Sequence, residues 1–196
     1  EIGGFRVING NHIGWYQSKK NENNNANLIR TYLLGSAIGA LLIQRNNLVL
    51  HGNSLSKDER TIICLGQSGI GKSTLAFSLM KKGWKLISDD LVALDENLKA
   101  LPGIPRIKLF KDVMIHNSLR IDKSKKISTK LDKYIIDGNL ISRQLESKSI
   151  SEIFILQRNK KSDNEKMTKI KIGDEKQKYL LLKQNFFRPK YVKYLG

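Results

Sequence analysis

Cysteine is almost absent: Cys64 is the single thiol in 196 residues. No intrachain disulfide can therefore staple this fold, and a reducing cytoplasm is the expected location. Long apolar runs are missing as well. The longest, Leu33 to Ile43, falls far short of the roughly 20 residues that a bilayer-crossing helix needs, so no membrane span is expected. Acidic residues are scarce, with 18 Asp and Glu against 35 Lys and Arg, which leaves a formal net charge of +17. A field of that sign concentrates polyanions near the surface. Many of the lysines, however, sit beside Asn and Ile in a chain rich in all three, so composition accounts for much of the surplus. Arginine and aromatic side chains are not interleaved as on a nucleic-acid platform, and no nucleic-acid partner is expected. No Cys/His spacing supports zinc, no Ser-His-Asp set stands out, and there is no internal repeat.

What is present is an ordinary globular composition, 40% hydrophobic and 27% charged, enough apolar material for one domain with a real core. Two alternating segments, 5–8 and 12–16, flank Asn9-Gly10-Asn11 and predict a small edge hairpin. Residues 19–27 are polar and read as a loop. The stretch 28–43 predicts a helix apolar on most faces, with Gly35 and Gly39 four apart marking close approach by a neighbour. A short strand is expected at Leu48 to Leu50, a charged turn at Lys57 to Arg60, and a strand buried on both faces at Thr61 to Leu65.

A glycine-rich loop, Gly66-Gln67-Ser68-Gly69-Ile70-Gly71-Lys72-Ser73, comes next. It matches Gly-x4-Gly-Lys-Ser, in which glycines let backbone N–H groups turn inward around phosphate oxygens. Lys72 would supply positive charge to the β and γ phosphates and Ser73 a hydroxyl to Mg2+. Thr74 opens the body of a helix running to Lys82, whose positive end points at the anion. Gly83 stands where a helix-terminating glycine belongs. A strand from Trp84 to Ile87 then carries Ser88-Asp89-Asp90 at its C-terminal end. Two adjacent carboxylates repel one another and are poor strand formers, so they call for a cation or a function. Farther along, a Pro-Gly-Ile-Pro turn feeds a strand to Phe110, and 112–119 predicts a short helix. The basic stretch 123–133 reads as a mobile surface loop, 153–156 as a late strand, 159–166 as a turn, 167–172 as an alternating strand, and 176–187 as a helix ending near Pro189.

Three features occur together: Leu50-His51-Gly52 fifteen residues before Gly66, the loop Gly-x-Ser-Gly-x-Gly-Lys-Ser, and Ser88-Asp89-Asp90 one helix later. In them the chain resembles the kinase domain of HPr kinase/phosphorylase and its smaller relatives found with lasso-peptide and related peptide-modification genes. The smaller relatives share Pro102-Gly103-Ile104-Pro105-Arg106, Leu131-Asp132-Lys133-Tyr134 and a late strand like 153–156, so the resemblance spans about residues 30–158. It implies an α/β P-loop kinase core similar to the HPr kinase C-terminal domain and to ATP-dependent phosphoenolpyruvate carboxykinase. It also implies ATP and Mg2+ as cofactors, His51 in the active site, Asp90 as general base toward a serine hydroxyl, and Asp89 beside metal and phosphates. Arg106 is implied to bind a phosphate or an acidic substrate group. The acidic motif with Glu after the central strands is missing, which argues against phosphorylase activity and against HPr as acceptor.

The expected organisation is a single domain: an N-terminal hairpin and loop at 1–27, a nucleotide-binding core at 28–158, and a C-terminal strand and helix at 159–196. The chain starts at Glu1 rather than Met, and relatives run on past the position of Gly196, so missing pieces at either end are an expectation. The catalytic set is Asp90, Asp89, His51 and Lys72. Gly66, Ser68, Gly69, Ile70, Gly71, Lys72, Ser73 and Thr74 form the nucleotide cradle, and Ser73 and Asp89 are the metal ligands. The expected activity is ATP-dependent phosphorylation of a serine in a peptide or small protein, with a ribosomal precursor peptide the favoured acceptor. A free small hydroxyl compound as acceptor, and a nucleotide-binding regulatory module without transfer, are the alternatives. A homo-oligomer is a further expectation from the family.

Overall fold

The computed structural model describes residues 3–17, 26–128, 131–136, 138–158 and 169–188. Strands β1 (Gly3–Ile8) and β2 (His12–Gln17) pair antiparallel around a turn in which Asn9 and Gly10 both take positive φ. The hairpin forms a two-stranded sheet of its own, not the edge of the main sheet. The predicted long helix is α1 (Ala26–Tyr32), a π-helical turn (Leu33–Ala37) and α2 (Ile38–Gln44). Among its described side chains only Ala37, Gly39 and Leu41 are buried, so one face is covered and not most of them. Gly39 lies against the ring of Phe187, whereas Gly35 has open space around it. Only one of the two glycines marks a close approach.

The chain continues through β3 (Leu48–Lys57), β4 (Arg60–Gly66), α3 (Lys72–Met80), β5 (Lys85–Leu94), β6 (Lys99–Ala100), β7 (Lys108–Phe110) and α4 (Lys111–His116). Then follow β8 (Lys126–Ser128), β9 (Leu131–Ile135), β10 (Lys148–Ser149), β11 (Glu152–Leu156) and α5 (Glu175–Gln184). A six-stranded sheet has the order β10-β6-β5-β3-β4-β11. Its centre, β3, is antiparallel to both β4 and β5, and β11 runs parallel to β4.

Two expectations change here. The short strand at 48–50 runs on through His51 and Gly52 to Lys57, because it has neighbours on both edges. Asp89 and Asp90 lie inside the ten-residue strand β5 rather than at its end, opposite Asn53 and Gly52 of β3. The central position is tolerated because β3 offers them a polar residue and a glycine. Gly52 is required by packing as well: a Cβ there would sit 2.5 Å from the carbonyl oxygen of Cys64.

The apolar residues divide by strand alternation. Leu55, Ile62, Cys64 and Leu86 face α3 through Ala76, Phe77 and Met80, and this cluster extends to Ile107, Leu109, Met114 and Tyr134. Leu50, Ile63, Leu65, Ile87 and Val92 face the other way, where Leu182 and Phe186 close over them. Full burial of each such side chain contributes about 1.5–3 kcal/mol, so the sheet is anchored on both faces. The described parts of the stretch 123–133, residues 123–128 and 131–133, are not loop. A 3-10 turn leads into β8 and β9, which join β7 in a three-stranded sheet over the α3 side. Its lysines concealed the strand pattern, although Ile127 and Tyr134 are buried. Residues 169–172 form no strand. The readings at 19–25, 159–168 and Pro189 lie outside the described residues.

Candidate active site

Where β4 ends, Gly66 turns with φ +140°, and a Cβ there would stand 2.8 Å from the carbonyl oxygen of Leu156. Gly69 and Gly71 also take positive φ (+82° and +105°), and nothing lies within 4 Å of where their Cβ atoms would be. The loop is thus wound in conformations that favour glycine around a space its side chains leave open. Ser68 is exposed on the outside of the turn, Ile70 packs toward Gly66, and Thr74 is half-buried in the first turn of α3.

Lys72 is buried, and its Nζ donates to the carbonyl oxygens of Gly66 (2.6 Å) and Gln67 (3.0 Å). Burial lowers the pKa of its ammonium, while Asp89 pulls the other way. The next residue, Ser73, donates from Oγ to both carboxylate oxygens of Asp89 (3.1 and 3.3 Å). Strand order explains the meeting. Asn53 and Asp89 are ladder partners on one face of the sheet, and Nδ2 of Asn53 donates to the carbonyl oxygen of Lys72 (2.7 Å). That bond seats the start of α3 over β3, so Ser73 comes over the neighbouring strand at Asp89.

Asp90 has φ +71°, a left-handed conformation that aspartate tolerates at a small cost. Its carboxylate forms an ion pair with Nζ of Lys108, and its carbonyl oxygen accepts from Nδ1 of His51 (3.1 Å). A carbonyl can only accept, so Nδ1 carries a proton. Burial, reinforced by Lys72, Lys108, Lys133 and Arg188, pushes the His51 pKa down to about 4.

Two cations here were not anticipated. Lys108 of β7 and Lys133 of β9 project from one face of the small sheet, since Lys108 pairs with Ile135 and Phe110 with Lys133. Burial lowers both ammonium pKa values, that of Lys108 to about 8, against the attraction of Asp89. Asp89 responds in kind: burial raises its pKa, while Lys108, Lys133 and the Ser73 hydroxyl oppose the rise. The alternation of Arg106 and Lys108 with buried Ile107 and Leu109 was a usable signal for their shared direction, but not for their target. Asn53 could have been suspected as a polar residue within a buried strand.

The structure therefore brings Lys72, Ser73 and Asp89 together at the loop, while Asp90, the next residue of β5, is paired with Lys108 and bonded through its carbonyl to His51. Arg106 is half-buried and feels both Asp89 and Arg30; its Nη1 is buried without a hydrogen-bond partner among the described residues. Four cations (Lys72, Arg106, Lys108, Lys133) thus surround two carboxylates, a local surplus suited to an anion. No group of three or more His, Cys, Asp or Glu gathers among the described residues. Ser73 and Asp89 suit a magnesium ion that takes its remaining ligands from phosphate and water.

A model of the HPr serine kinase C-terminal domain matches residues 44–119, the segment that holds β3, the loop, α3, β5 and Lys108. The HPr kinase/phosphorylase of Caldanaerobacter subterraneus subsp. tengcongensis is 40% identical over 47 residues, 24% of this chain and 15% of that protein. The solved structure of the Hpr(Ser) kinase/phosphatase from Coxiella burnetii is similar at 23% identity over 45% of this chain and 55% of that one, with a TM-score of 0.25. The matches thus span less than two thirds of either relative's length. The family match falls on the residues that build the glycine-rich loop and the Asp89-Asp90 pair, and over this segment the chain is similar to the HPr serine kinase C-terminal domain.

Proposed function

We propose that this chain is an ATP-dependent kinase that transfers the γ-phosphoryl group to a serine hydroxyl of a peptide or small protein. The observation that supports this most directly is the contact of Ser73 with Asp89 at the start of α3, which puts a metal-binding hydroxyl and a carboxylate at one point of the loop. The nucleotide's phosphates would lie against the open side of Gly69 and Gly71, with Lys72 swinging from the loop carbonyls to the β and γ oxygens. Magnesium, held by Ser73 and Asp89, would neutralise charge on the phosphate oxygens.

The acceptor oxygen attacks the γ phosphorus, its proton passes to the carboxylate of Asp90, and the bond to the β-bridging oxygen breaks with ADP leaving. Asp90 must be released from Lys108 to take that proton. His51, neutral and donating to the Asp90 backbone, steadies the strand at that point. Lys108 and Lys133 add positive charge where negative charge spreads in the transition state. A ribosomal precursor peptide is the acceptor this reading favours.

The Lys108–Asp90 ion pair also supports a second reading, a nucleotide-binding module in which the carboxylate stays engaged and no transfer follows. Incubation with γ-labelled ATP, Mg2+ and a panel of serine peptides separates the two by intact mass. The kinase reading expects a phosphate added to an acceptor and lost in Asp90→Asn. Tight ATP binding with no acceptor modified across peptides and small alcohols would leave the module.

A further inference from the structure

β3 is longer than its partner β4. Their pairing ends at Gly52 and Leu65, because β4 parts from β3 at Gly66, which pairs only with Leu156 of β11 before the loop begins. Residues 49–51 would be left with an open edge there, and a distant piece of chain occupies it. The amide of His51 donates to the carbonyl oxygen of Asn185 (2.8 Å), that of Phe187 to the carbonyl oxygen of Val49 (2.9 Å), and Leu50 bridges Phe186. Residues 185–187 thus continue the line of β4 past the point where the phosphate loop departs.

Asn185 is the hinge of this substitution. Its Oδ1 accepts from the backbone N–H of Gly66 (2.9 Å), the first residue of the loop, across 119 positions of sequence. Its Nδ2 donates to the carbonyl oxygen of Leu181 (2.7 Å), which orients the amide from the last turn of α5. The Gly66 N–H has lost its place in the β3–β4 ladder and faces the corner where the chain turns. A buried N–H of that kind needs an acceptor.

We infer that Asn185 is a positioning residue for the phosphate loop, and that the docking of the segment 182–187 and nucleotide binding are energetically coupled. This rests on the reading of Gly66 to Ser73 as a phosphate cradle. Asn185 acts through Gly66 and touches no phosphate itself. The segment is otherwise held by Leu182 and Phe186 on one side of the sheet and by Phe187 among Val49, Leu91 and the α2 side chains. No residue of α5 is fully buried, so this element can loosen without unfolding the core. Coupling is reciprocal: what the docked segment does for the nucleotide, the nucleotide must do for the segment.

The test measures Mg·ADP affinity by calorimetry and backbone hydrogen exchange on the full chain. Saturating Mg·ADP should slow exchange of the amides of 182–187 in the wild type. Asn185→Ala should weaken Mg·ADP binding about tenfold and lower the circular-dichroism melting transition modestly, while the far-UV spectrum at 25 °C stays that of the wild type. Asn185→Asp keeps an acceptor for Gly66 but places a negative charge beside the cradle, so its Mg·ADP binding should be weakened at low salt and recover toward wild type, above the alanine variant, at high salt. Wild-type ADP binding that leaves exchange of 182–187 unchanged, or equal affinity of wild type and Asn185→Ala, overturns this inference and spares the phosphate-loop reading. A wild-type chain that binds no nucleotide overturns both.

Discussion

Protonating His51 should destabilise the fold steeply in mild acid. Its pKa falls from an ordinary value of 6.5 to about 4, chiefly through burial and then through Lys72, Lys108, Lys133 and Arg188. The folded value lies below the unfolded one, so the unfolded chain binds more protons between the two, and stability rises with pH across that window. The neutral ring's contribution is complete above the unfolded pKa and is lost as pH falls through 6.5 toward 4. Linkage across that gap amounts to about 3 kcal/mol in full, of which about 2 kcal/mol is lost between pH 7 and pH 5. The ring is partly exposed, so solvent screening trims these figures to upper bounds.

The comparison variant is His51→Asn, whose amide can donate to the Asp90 carbonyl as Nδ1–H does but cannot titrate. Urea unfolding at pH 7 and pH 5 gives both stabilities in each protein. The wild type should lose more than the variant on going to pH 5, by up to about 2 kcal/mol. The gap should narrow in high salt, because the cationic neighbours would then be screened. Equal losses in the two proteins would refute the claim that this ring is held neutral by its surroundings.

The Lys108–Asp90 pair should be coupled. Lys108→Met alone leaves a partly buried carboxylate uncompensated and should cost about 1–3 kcal/mol in urea unfolding, with Asp90→Asn restoring part of that loss when added; strict additivity in the double-mutant cycle would contradict the pair. Lys133→Met removes an ammonium whose burial is unfavourable, so melting should change little while phosphoryl transfer to an acceptor falls about 10- to 100-fold at similar KM. Gly52→Ala drives a methyl to 2.5 Å from the Cys64 carbonyl oxygen, a backbone atom in a central strand pair. The expected cost is about 1–3 kcal/mol, read as a lowered urea midpoint, and an unchanged midpoint would mean that β3 and β4 can separate there.

The glycine-rich loop, the helix after it and the buried strand before it were legible because their chemistry is local. Glycine at 66, 69 and 71 answers to backbone angles, and the run 61–65 answers to burial on both faces. Alternation at 107–110, and an apolar run bounded by charge at 153–156, gave strands for similarly local reasons. The adjacency of Ser73 and Asp89 was legible only as proximity in a motif. Their hydrogen bond depends on Asn53, a residue of a third strand that seats the helix over the sheet.

What local sequence by itself determined, then, is the set of short-range answers: where the chain turns, which segments bury both faces, and which loop is wound through glycines. The tertiary structure alone decided which distant charges converge. Lys108 and Lys133 come to the carboxylates of β5 from strands, Arg106 from just before β7, and Asn185 to the loop from just past α5, and no periodicity within those segments names the strand they will face. The basic stretch 123–133 looked like a solvated loop because its lysines read as surface; its pairing with β7 depends on a partner that only the folded sheet supplies.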